Sequence, residues 1–287
     1  MPRTVRAAGI DCGTNTIRLL IADCDPAAGA LTDITRLVEI VRLGQDVDRT
    51  GRFAPEALER TLDVVSRYAQ LVRQAGVAAI RFVATSATRD AANRDVFLDG
   101  VRAALGVEAQ VVDGLEEAAL SFAGALSGLK GQAVAGQPVH PAPYLCVDLG
   151  GGSTELVLGT DRPEQAYSMD VGSVRITERH LRSDPPTAAE VAAAAADVDR
   201  ALDVAARQVD LGRARTVVGL AGSITTIEAH SLGLERYDPA AVDGAVVGVD
   251  EALAACEALW RASRAERARM GFMHPGRVDV IGAGALV

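Results

Sequence analysis

Apolar runs separated by short polar turns organise the first half of the chain. Residues 5–23 have the pattern of a strand, a tight polar turn and a second strand. Behind Pro55-Glu56, an apolar stripe at helical spacing predicts a helix over residues 55–75. The same rules predict further β-structure at 31–41, a strand at 80–84, a loop at 85–89, a helix at 90–105, a strand at 107–112 and a helix at 115–126.

The second half begins after a stretch rich in Gly, Pro, Ser and Gln at residues 127–143. This composition is typical of a connector, so we expect two domains, 1–125 and 126–287. A second strand–turn–strand unit then spans about 144–158. Beyond it, the pattern predicts a helix at 188–209, a strand at 216–220 leading into a helix, a helix at 249–260 and a last helix from 279.

The two halves share an internal near-repeat. Each opens with an apolar strand, an Asp, a Gly-containing turn with Thr or Ser, and another apolar strand. In each, a later strand ends in a small-residue loop that leads to a helix, Thr85-Ser86 in the first half and Ala221-Gly222-Ser223 in the second. The expected fold class is therefore α/β, with two mixed domains facing each other across a cleft.

Composition and charge narrow the class of protein. The chain has 287 residues, of which 49% are hydrophobic, as in a globular protein. No apolar run reaches the roughly 18 residues of a membrane span, and the N-terminus lacks the pattern of a signal peptide. A cytoplasmic location is expected. The net charge of −9 argues against a broad basic face for nucleic acid but leaves a polyanionic substrate open.

Both Asp-Gly turns have the chemistry of anion sites. Consecutive N–H groups in a glycine-containing turn form a nest for anions, to which Thr14 and Ser153 add hydroxyl groups. The carboxylates at the strand ends, Asp11 and Asp148, suit Mg²⁺, and Glu155 lies close to Asp148 in sequence. A single such turn is also typical of an ordinary hairpin; two in matching positions favour a binding site.

Other candidates are weaker when taken alone. Glu116-Glu117 opens a predicted helix, where acidic residues also complement the helix dipole. Arg89 could bind phosphate oxygens or be a solvated surface residue, and Gly222-Ser223 opens a helix whose free N–H groups suit an anion. The chain has no P-loop motif, no GxSxG elbow and no GxGxxG. The four cysteines have no metal-ligand spacing and are interpreted as small buried hydrophobes.

Seven segments in order resemble the exopolyphosphatase / guanosine pentaphosphate phosphatase family (Ppx/GppA). This family lies within the actin-like, sugar-kinase-like ATPase superfamily. The most specific pair is Gly114-Leu-Glu-Glu-Ala118 with Asp148-Leu-Gly-Gly-Gly-Ser-Thr-Glu155. The remaining segments are residues 10–16, 42–44, 84–91, 219–223 and 277–281, so the resemblance extends across nearly the whole chain.

The resemblance implies a role for each matching position. Glu117 corresponds to the base that activates water, and Asp148 and Glu155 to the carboxylates that place Mg²⁺, with Mn²⁺ as the alternative ion. Asp11 is a further candidate metal ligand. The positions that resemble phosphate or cleft contacts are Thr14, Asn15, Ser86, Arg89, Gly151, Gly152, Ser153, Gly222 and Ser223.

The resemblance also implies two ribonuclease-H-like domains and a homodimer. The net charge and the lack of a long apolar run lead us to expect no nucleic-acid and no membrane partner. The expected function is an exopolyphosphatase acting on inorganic polyphosphate, and the alternative is a guanosine pentaphosphate 5′-phosphohydrolase. A kinase of the same superfamily and a non-catalytic alarmone sensor are more distant alternatives. Family members continue past the last helix, whereas this chain ends at Val287. The extra helical C-terminal domains of long family members are also missing, so a short form that handles shorter polyphosphates better is expected.

Overall fold

The computed structural model describes residues 4–27, 29–130, 133–134, 137–138 and 140–287. The chain divides into two compact units, Met1–Asp113 and Gly114–Val287. This division lies N-terminal to the expected boundary near residue 125, because the helix that follows Asp113 packs with the strands of the second unit. Each unit is described by itself.

A five-stranded mixed sheet in the order β3-β2-β1-β4-β5 forms the frame of the first unit. β2 is antiparallel to β1 and β3, whereas β4 is parallel to β1 and β5 is parallel to β4. A β-bulge in β3 shifts the register between Ile21 and Ala22 of β2. The strands are β1 Val5–Cys12, β2 Thr16–Asp25, β3 Ala30–Ile40, β4 Ala79–Ala84 and β5 Ala109–Val111.

Helix α2 packs into the core between the sheet and α4. Pro55 is its first residue, where a missing N–H costs no hydrogen bond, and the expected stripe packs inward through Leu58, Val65 and Val72. Phe82 of β4 and other core residues lie against it and α4. The helices are α1 Val47–Thr50, α2 Pro55–Gln74, α3 Ser86–Asp90 and α4 Arg94–Leu105.

The sheet of the second unit repeats this plan in the order β10-β9-β8-β11. β8 pairs antiparallel with β9 and parallel with β11, just as β1 pairs with β2 and β4. The near-repeat expected from the sequence is thus confirmed in strand order and direction. The strands are β8 Tyr144–Leu149, β9 Thr154–Gly159, β10 Pro163–Met169 and β11 Thr216–Leu220; β6 Ala133–Val134 and β7 Gln137–Pro138 form a separate short pair.

Two helices of the second unit begin at a Ser or Thr capping box. Thr187 and Glu190 form a capping box at the start of α7, and Ser263 and Glu266 form another at α11. The helices are α5 Gly114–Lys130, α6 Ser173–His180, α7 Ala188–Ala205, α8 Ala221–Ser231, α9 Pro239–Val242, α10 Val249–Arg261, α11 Arg264–Arg269 and α12 Ile281–Gly284. Single 3₁₀ turns lie at Leu211–Arg213 and Pro275–Arg277.

The structure corrects several sequence expectations. Residues 86–89, expected as part of a loop, lie in helix α3, because the N–H groups of Thr88 and Arg89 bond back to the Thr85 carbonyl. The expected connector at 127–143 begins with the last turn of α5, and residues 131, 132, 135, 136 and 139 lie outside the described residues. β10 and α6 were not anticipated, since both are short and consist mostly of polar residues.

Candidate active site

Two carboxylates flank the glycine-rich turn that joins β8 to β9. Asp148 of β8 and Glu155 of β9 are directly opposite each other in the antiparallel ladder. On its other side, Glu155 is opposite Ser168 of β10. Directly opposed residues present their side chains on the same face, with Cβ atoms about 4.5–5.5 Å apart. The hairpin therefore holds the two carboxylates side by side.

Burial makes Glu155 electrostatically unusual, since only 1% of its surface is exposed. The pKa of its carboxyl group is raised to about 8, chiefly by burial and then by the negative charge of Glu117. Ser168 donates a 2.7 Å hydrogen bond to Oε1, which opposes this rise because it stabilises the charged form. A carboxyl group perturbed by burial and by specific neighbouring charges is typical of a functional site.

Helix α5 brings Glu117 to this hairpin. The helix packs against β9 and β10, and Glu117 lies in its first turn. A Cβ on Gly114 would lie 2.6 Å from the Ser168 Cβ, so a glycine at the start of α5 allows the helix to approach β10 closely. The sequence expectation that Glu117 belongs beside Asp148 and Glu155 is thus supported by the charge of Glu117 acting on Glu155.

Two serines that the sequence analysis missed hold the carboxylates. Ser121 of α5 donates a short hydrogen bond to Oδ2 of Asp148, and Ser168 of β10 donates to Glu155. The only sequence signal for Ser121 is its position one helical turn after Glu117, on the same face of α5. Ser168 carries no local signal, because it enters the site through strand register alone.

Helix α6 holds the glycine run, residues 150–152, by donating hydrogen bonds to its carbonyl groups. The Gly151 carbonyl accepts bonds from the N–H groups of Val174 and Arg175 at 2.9 and 3.1 Å. The Gly152 carbonyl accepts Nε of Arg175 at 2.7 Å. Within the described residues, neither Gly151 nor Gly152 donates its N–H to a backbone carbonyl. The run therefore presents free N–H groups, as an anion nest does.

The start of α8 lies next to this glycine run. A Cβ on Gly284 would come within 2.7 Å of Ser223 Oγ and 3.3 Å of Ser173 Cβ. Gly284 of α12 therefore packs closely against both Ser223 and Ser173. Ser173 in turn donates its N–H to the Gly150 carbonyl at 3.0 Å. The structure thus brings together the candidate positions of the glycine run and Ser223.

Gly222 is closely packed at the start of α8. A Cβ there would lie 2.2 Å from Nη2 of Arg277, so the guanidinium rests on the helix start. Nη1 of Arg277 also donates to Oγ1 of Thr226 at 3.4 Å. The preceding residue, Ala221, has a φ of 69°, a left-handed conformation that is strained for a residue with a Cβ. Such strain is frequent at ligand sites.

In the first unit, the Asp-Gly turn and α3 meet through their hydroxyl groups. Thr14 Oγ1 and Ser86 Oγ lie 2.9 Å apart in a buried hydrogen bond. The Thr14 carbonyl accepts the N–H of Gly44 at 2.8 Å, where a Cβ would lie 2.3 Å from Thr14 Cγ2. Three of the resembling segments, 10–16, 42–44 and 84–91, therefore converge on Thr14.

Asn15 lies in the same turn, and its carbonyl accepts the N–H groups of Val41 and Arg42 at 2.9 and 3.0 Å. Its side-chain Oδ1 is buried and has no hydrogen-bond partner among the residues described. An unpaired buried polar atom costs about 1–3 kcal/mol. Unused hydrogen-bonding capacity of this kind is typical of a side chain that contacts a ligand.

Asp11 and Arg89 have protein partners. Arg18 donates to Oδ2 of Asp11 at 2.8 Å in a partly exposed ion pair, and Nη1 of Arg89 donates to the Val112 carbonyl at 2.8 Å. Cys12, which follows Asp11, is buried, and burial raises the pKa of its thiol far above the ordinary value. A buried thiol of this kind is a weak nucleophile, as its interpretation as a small hydrophobe requires.

The two carboxylates of the β8–β9 hairpin fit a hard divalent cation. In the part of the chain that the structure describes, no group of three or more His, Cys, Asp and Glu side chains forms a complete metal site. Mg²⁺ does not require one, because it commonly uses one or two carboxylates together with water and substrate phosphates. Asp148 and Glu155, side by side and both negative when ionised, are such a pair.

These features define the class of protein. Two repeated strand–turn–strand units with Asp-Gly turns, one of them followed by an acidic helix start, form the two-domain actin-like α/β fold with two mixed sheets. Among the described helices, none is long and apolar enough to cross a membrane. The chain belongs to the Ppx/GppA phosphatase family, whose family model matches residues 20–287, and it is a phosphatase of the hydrolase class.

Named relatives and solved structures agree with this assignment. The chain is 50% identical to Exopolyphosphatase 2 of Mycobacterium tuberculosis over 289 aligned positions, covering 98% of this chain and 88% of that protein. It is similar to the crystal structure of an exopolyphosphatase-like protein, with 48% identity, a TM-score of 0.93 and coverage of 99% and 86%. The Aquifex aeolicus member of the family shares 31% identity with a TM-score of 0.78, covering 99% and 88%.

Proposed function

We propose that the chain is a Mg²⁺-dependent exopolyphosphatase that removes terminal orthophosphate from inorganic polyphosphate. The supporting observation is the position of Glu117, whose charge acts on the buried Glu155 of the β8–β9 hairpin. A carboxylate next to a cation-binding pair is placed to receive a proton from water. A relative that is 50% identical over nearly the whole chain bears the name Exopolyphosphatase 2.

The chemical step is a hydrolysis of a phosphoric anhydride. The Glu117 carboxylate takes a proton from water while the water oxygen forms a bond to the terminal phosphorus. The bond from that phosphorus to the bridging oxygen breaks, and its electron pair stays on the shortened chain. Hydrolysis of this type depends on positioning and charge stabilisation more than on covalent chemistry.

Asp148 and Glu155 would hold the divalent ion, Mg²⁺ or Mn²⁺, which when bound neutralises phosphate charge. Ser121 and Ser168 orient these two carboxylates by hydrogen bonds. Asp11 is a less direct candidate, because it is already paired with Arg18. The proposed phosphate contacts are Thr14, Asn15, Ser86, Arg89, the N–H groups of Gly151 and Gly152, and Ser153, Gly222 and Ser223.

Glu117→Gln tests the proposal against Glu116→Gln, a matched change at the neighbouring position of the same helical turn. Removing a general base lowers the rate about 10²–10⁴-fold. We expect that loss in kcat for Glu117→Gln, with polyphosphate binding retained, and a rate near wild type for Glu116→Gln. Equal rates for wild type and Glu117→Gln would remove Glu117 from the mechanism.

Three substrates separate the alternatives within the family. Phosphate release from short polyphosphate, long polyphosphate and guanosine pentaphosphate should be compared with the same enzyme preparation and Mg²⁺. Faster release from polyphosphate is expected; faster release from guanosine pentaphosphate would support the guanosine pentaphosphate phosphohydrolase instead. Transfer of phosphate to ADP would indicate a kinase, and tight alarmone binding with no turnover would indicate a sensor. The homodimer and the cytoplasmic location stay predictions.

A further inference from the structure

The outer edge of the first unit's sheet is long and exposed. Among the described strands, β3 is hydrogen-bonded to β2 on one side and has no strand on the other. It spans 11 residues and carries three large exposed apolar side chains, Leu31 at 58%, Ile34 at 43% and Val38 at 49% exposure. Soluble proteins usually protect such an edge, because its unpaired N–H and C=O groups can pair with another chain.

The bulge in β3 determines which side chains share a face. Because Ile34 is the extra residue, Asp33 is opposite Ala22 of β2 and Arg36 is opposite Leu20. By the same register, Leu31 is opposite Cys24 and Val38 is opposite Arg18. These four β2 residues alternate along their strand, so their partners on β3 lie on one face. Without the bulge, Asp33 and Arg36 would face opposite sides.

This face is complementary to itself in an antiparallel two-fold pairing. A dyad between Ile34 and Thr35 places Asp33 of one copy opposite Arg36 of the other, and this pair occurs twice. The same dyad places Leu31 of one copy opposite Val38 of the other, again twice. Charged and apolar side chains therefore both meet favourable partners, and such cross-strand pairs are what stabilises a sheet.

Neighbouring registers lack this match. Moving the dyad by one residue in one direction places Arg36 opposite Leu31, and moving it in the other direction places Asp33 opposite Val38. Within a single chain, Nε of Arg36 donates to Oδ2 of Asp33 at 2.9 Å, and both side chains are well exposed. They can therefore reach a second copy without unfolding or leaving a buried partner.

We propose that β3 is an interface for a second copy of this chain, paired antiparallel about a dyad between Ile34 and Thr35. The pairing joins two five-stranded sheets into one of ten strands, and its main-chain hydrogen bonds are those of β-strand addition. The inference deepens the proposed homodimer and is independent of the proposed hydrolysis. It rests on the exposure, register and charge of β3.

Charge reversal tests the interface. In the proposed dimer, Arg36→Asp alone places two negative side chains opposite each other, because position 36 lies opposite Asp33 of the second copy. Asp33→Arg alone places two positive side chains opposite each other in the same way. Each single variant should weaken dimerisation at least about tenfold, since like charges directly opposite each other are destabilising. Mixing the two single variants should restore the dimer, and the double variant Asp33→Arg/Arg36→Asp should dimerise by itself. Arg207→Asp, a charge reversal at an exposed position after α7, is the matched control.

Molecular mass should be measured by sedimentation over an approximately hundredfold concentration range, with melting temperature as a check of folding. Restoration in the mixture separates the interface from the intrachain pair, which neither single variant contains. A monomeric wild type, single variants that dimerise like wild type, or a mixture that stays monomeric would each overturn the proposal. Phosphate release measured on the same samples shows independently whether the proposed hydrolysis holds.

Discussion

Asp148 and Glu155 stand directly opposite each other across the β8–β9 hairpin, and each accepts a hydrogen bond from a serine on a different neighbouring element. The two serines come from α5 and β10, which enclose the hairpin. Two like charges held side by side repel each other unless a cation or a proton intervenes. The two carboxylates therefore do not stabilise the fold as an ion pair would, and their arrangement suits the cation of the proposed mechanism.

Ser168→Ala should weaken the use of the divalent ion. The variant removes the donor to Oε1 of Glu155 without adding bulk beside Gly114. Hydrogen bonds to metal-ligating carboxylates are commonly worth 10–100-fold in affinity or activity, and we expect a loss of roughly that size. The measurements are the Mg²⁺ concentration for half-maximal phosphate release and calorimetric titration of Mg²⁺ without substrate.

Ser66→Ala provides the control for this variant, because Ser66 lies on the exposed face of α2 and its hydroxyl donates only to the Leu62 carbonyl. It should leave the Mg²⁺ requirement unchanged. A Ser168→Ala enzyme with wild-type affinity for Mg²⁺ would show that Glu155 needs no support from β10.

Gly172→Ala should displace the glycine run. A Cβ at this position would lie 2.7 Å from the Gly151 carbonyl carbon and 2.9 Å from the Gly152 nitrogen, which are backbone atoms that cannot rotate away. Overpacking of this kind costs about 1–3 kcal/mol. We expect a lower melting temperature and a higher KM for polyphosphate.

The matched control is Gly124→Ala on α5, where a Cβ meets nothing within 4 Å. That change should stabilise the helix by about 0.5–1 kcal/mol. Equal melting temperatures and equal KM values for Gly172→Ala and wild type would contradict the close packing of α6 on the glycine run.

Glu190 should contribute stability that disappears in acid. Its carboxylate accepts backbone N–H bonds from Thr187, Arg182 and Ser183, which hold its pKa at about 2. The unfolded-state value is about 4.3. Because the folded-state pKa is the lower one, this contribution is complete above the unfolded value and is lost as the pH falls toward 2.

The free energy of unfolding should therefore be lower for Glu190→Gln than for wild type at pH 7, and the difference should shrink between about pH 4.3 and 2. Urea denaturation at several pH values measures it. The control is Glu59→Gln, which removes the same charge from the exposed face of α2, where Glu59 caps no helix. A difference between wild type and Glu190→Gln that stays constant with pH would contradict the capping role.

The amino-acid sequence was sufficient for the plan of the fold. The period of apolar residues predicts β1, β2, α2, β8, β9 and β11, and the repeated Asp-Gly turns predict two related halves. It failed for Thr85-Ser86-Ala87-Thr88-Arg89, because these small residues resemble a loop although α3 includes four of them. Local pattern alone cannot distinguish a short helix stabilised by tertiary packing from a loop.

The sequence by itself also provided the candidate residues for the proposed chemistry, through the types and spacing of Glu117, Asp148 and Glu155. Only the tertiary structure decided their environment. Strand register places Ser168 against Glu155, and the packing of α5 brings the charge of Glu117 to Glu155, which lies 38 residues further along the chain. A single bulge in β3 likewise turns Asp33 and Arg36 to one face. Contacts between residues distant in sequence depend on register and packing, which no local pattern encodes.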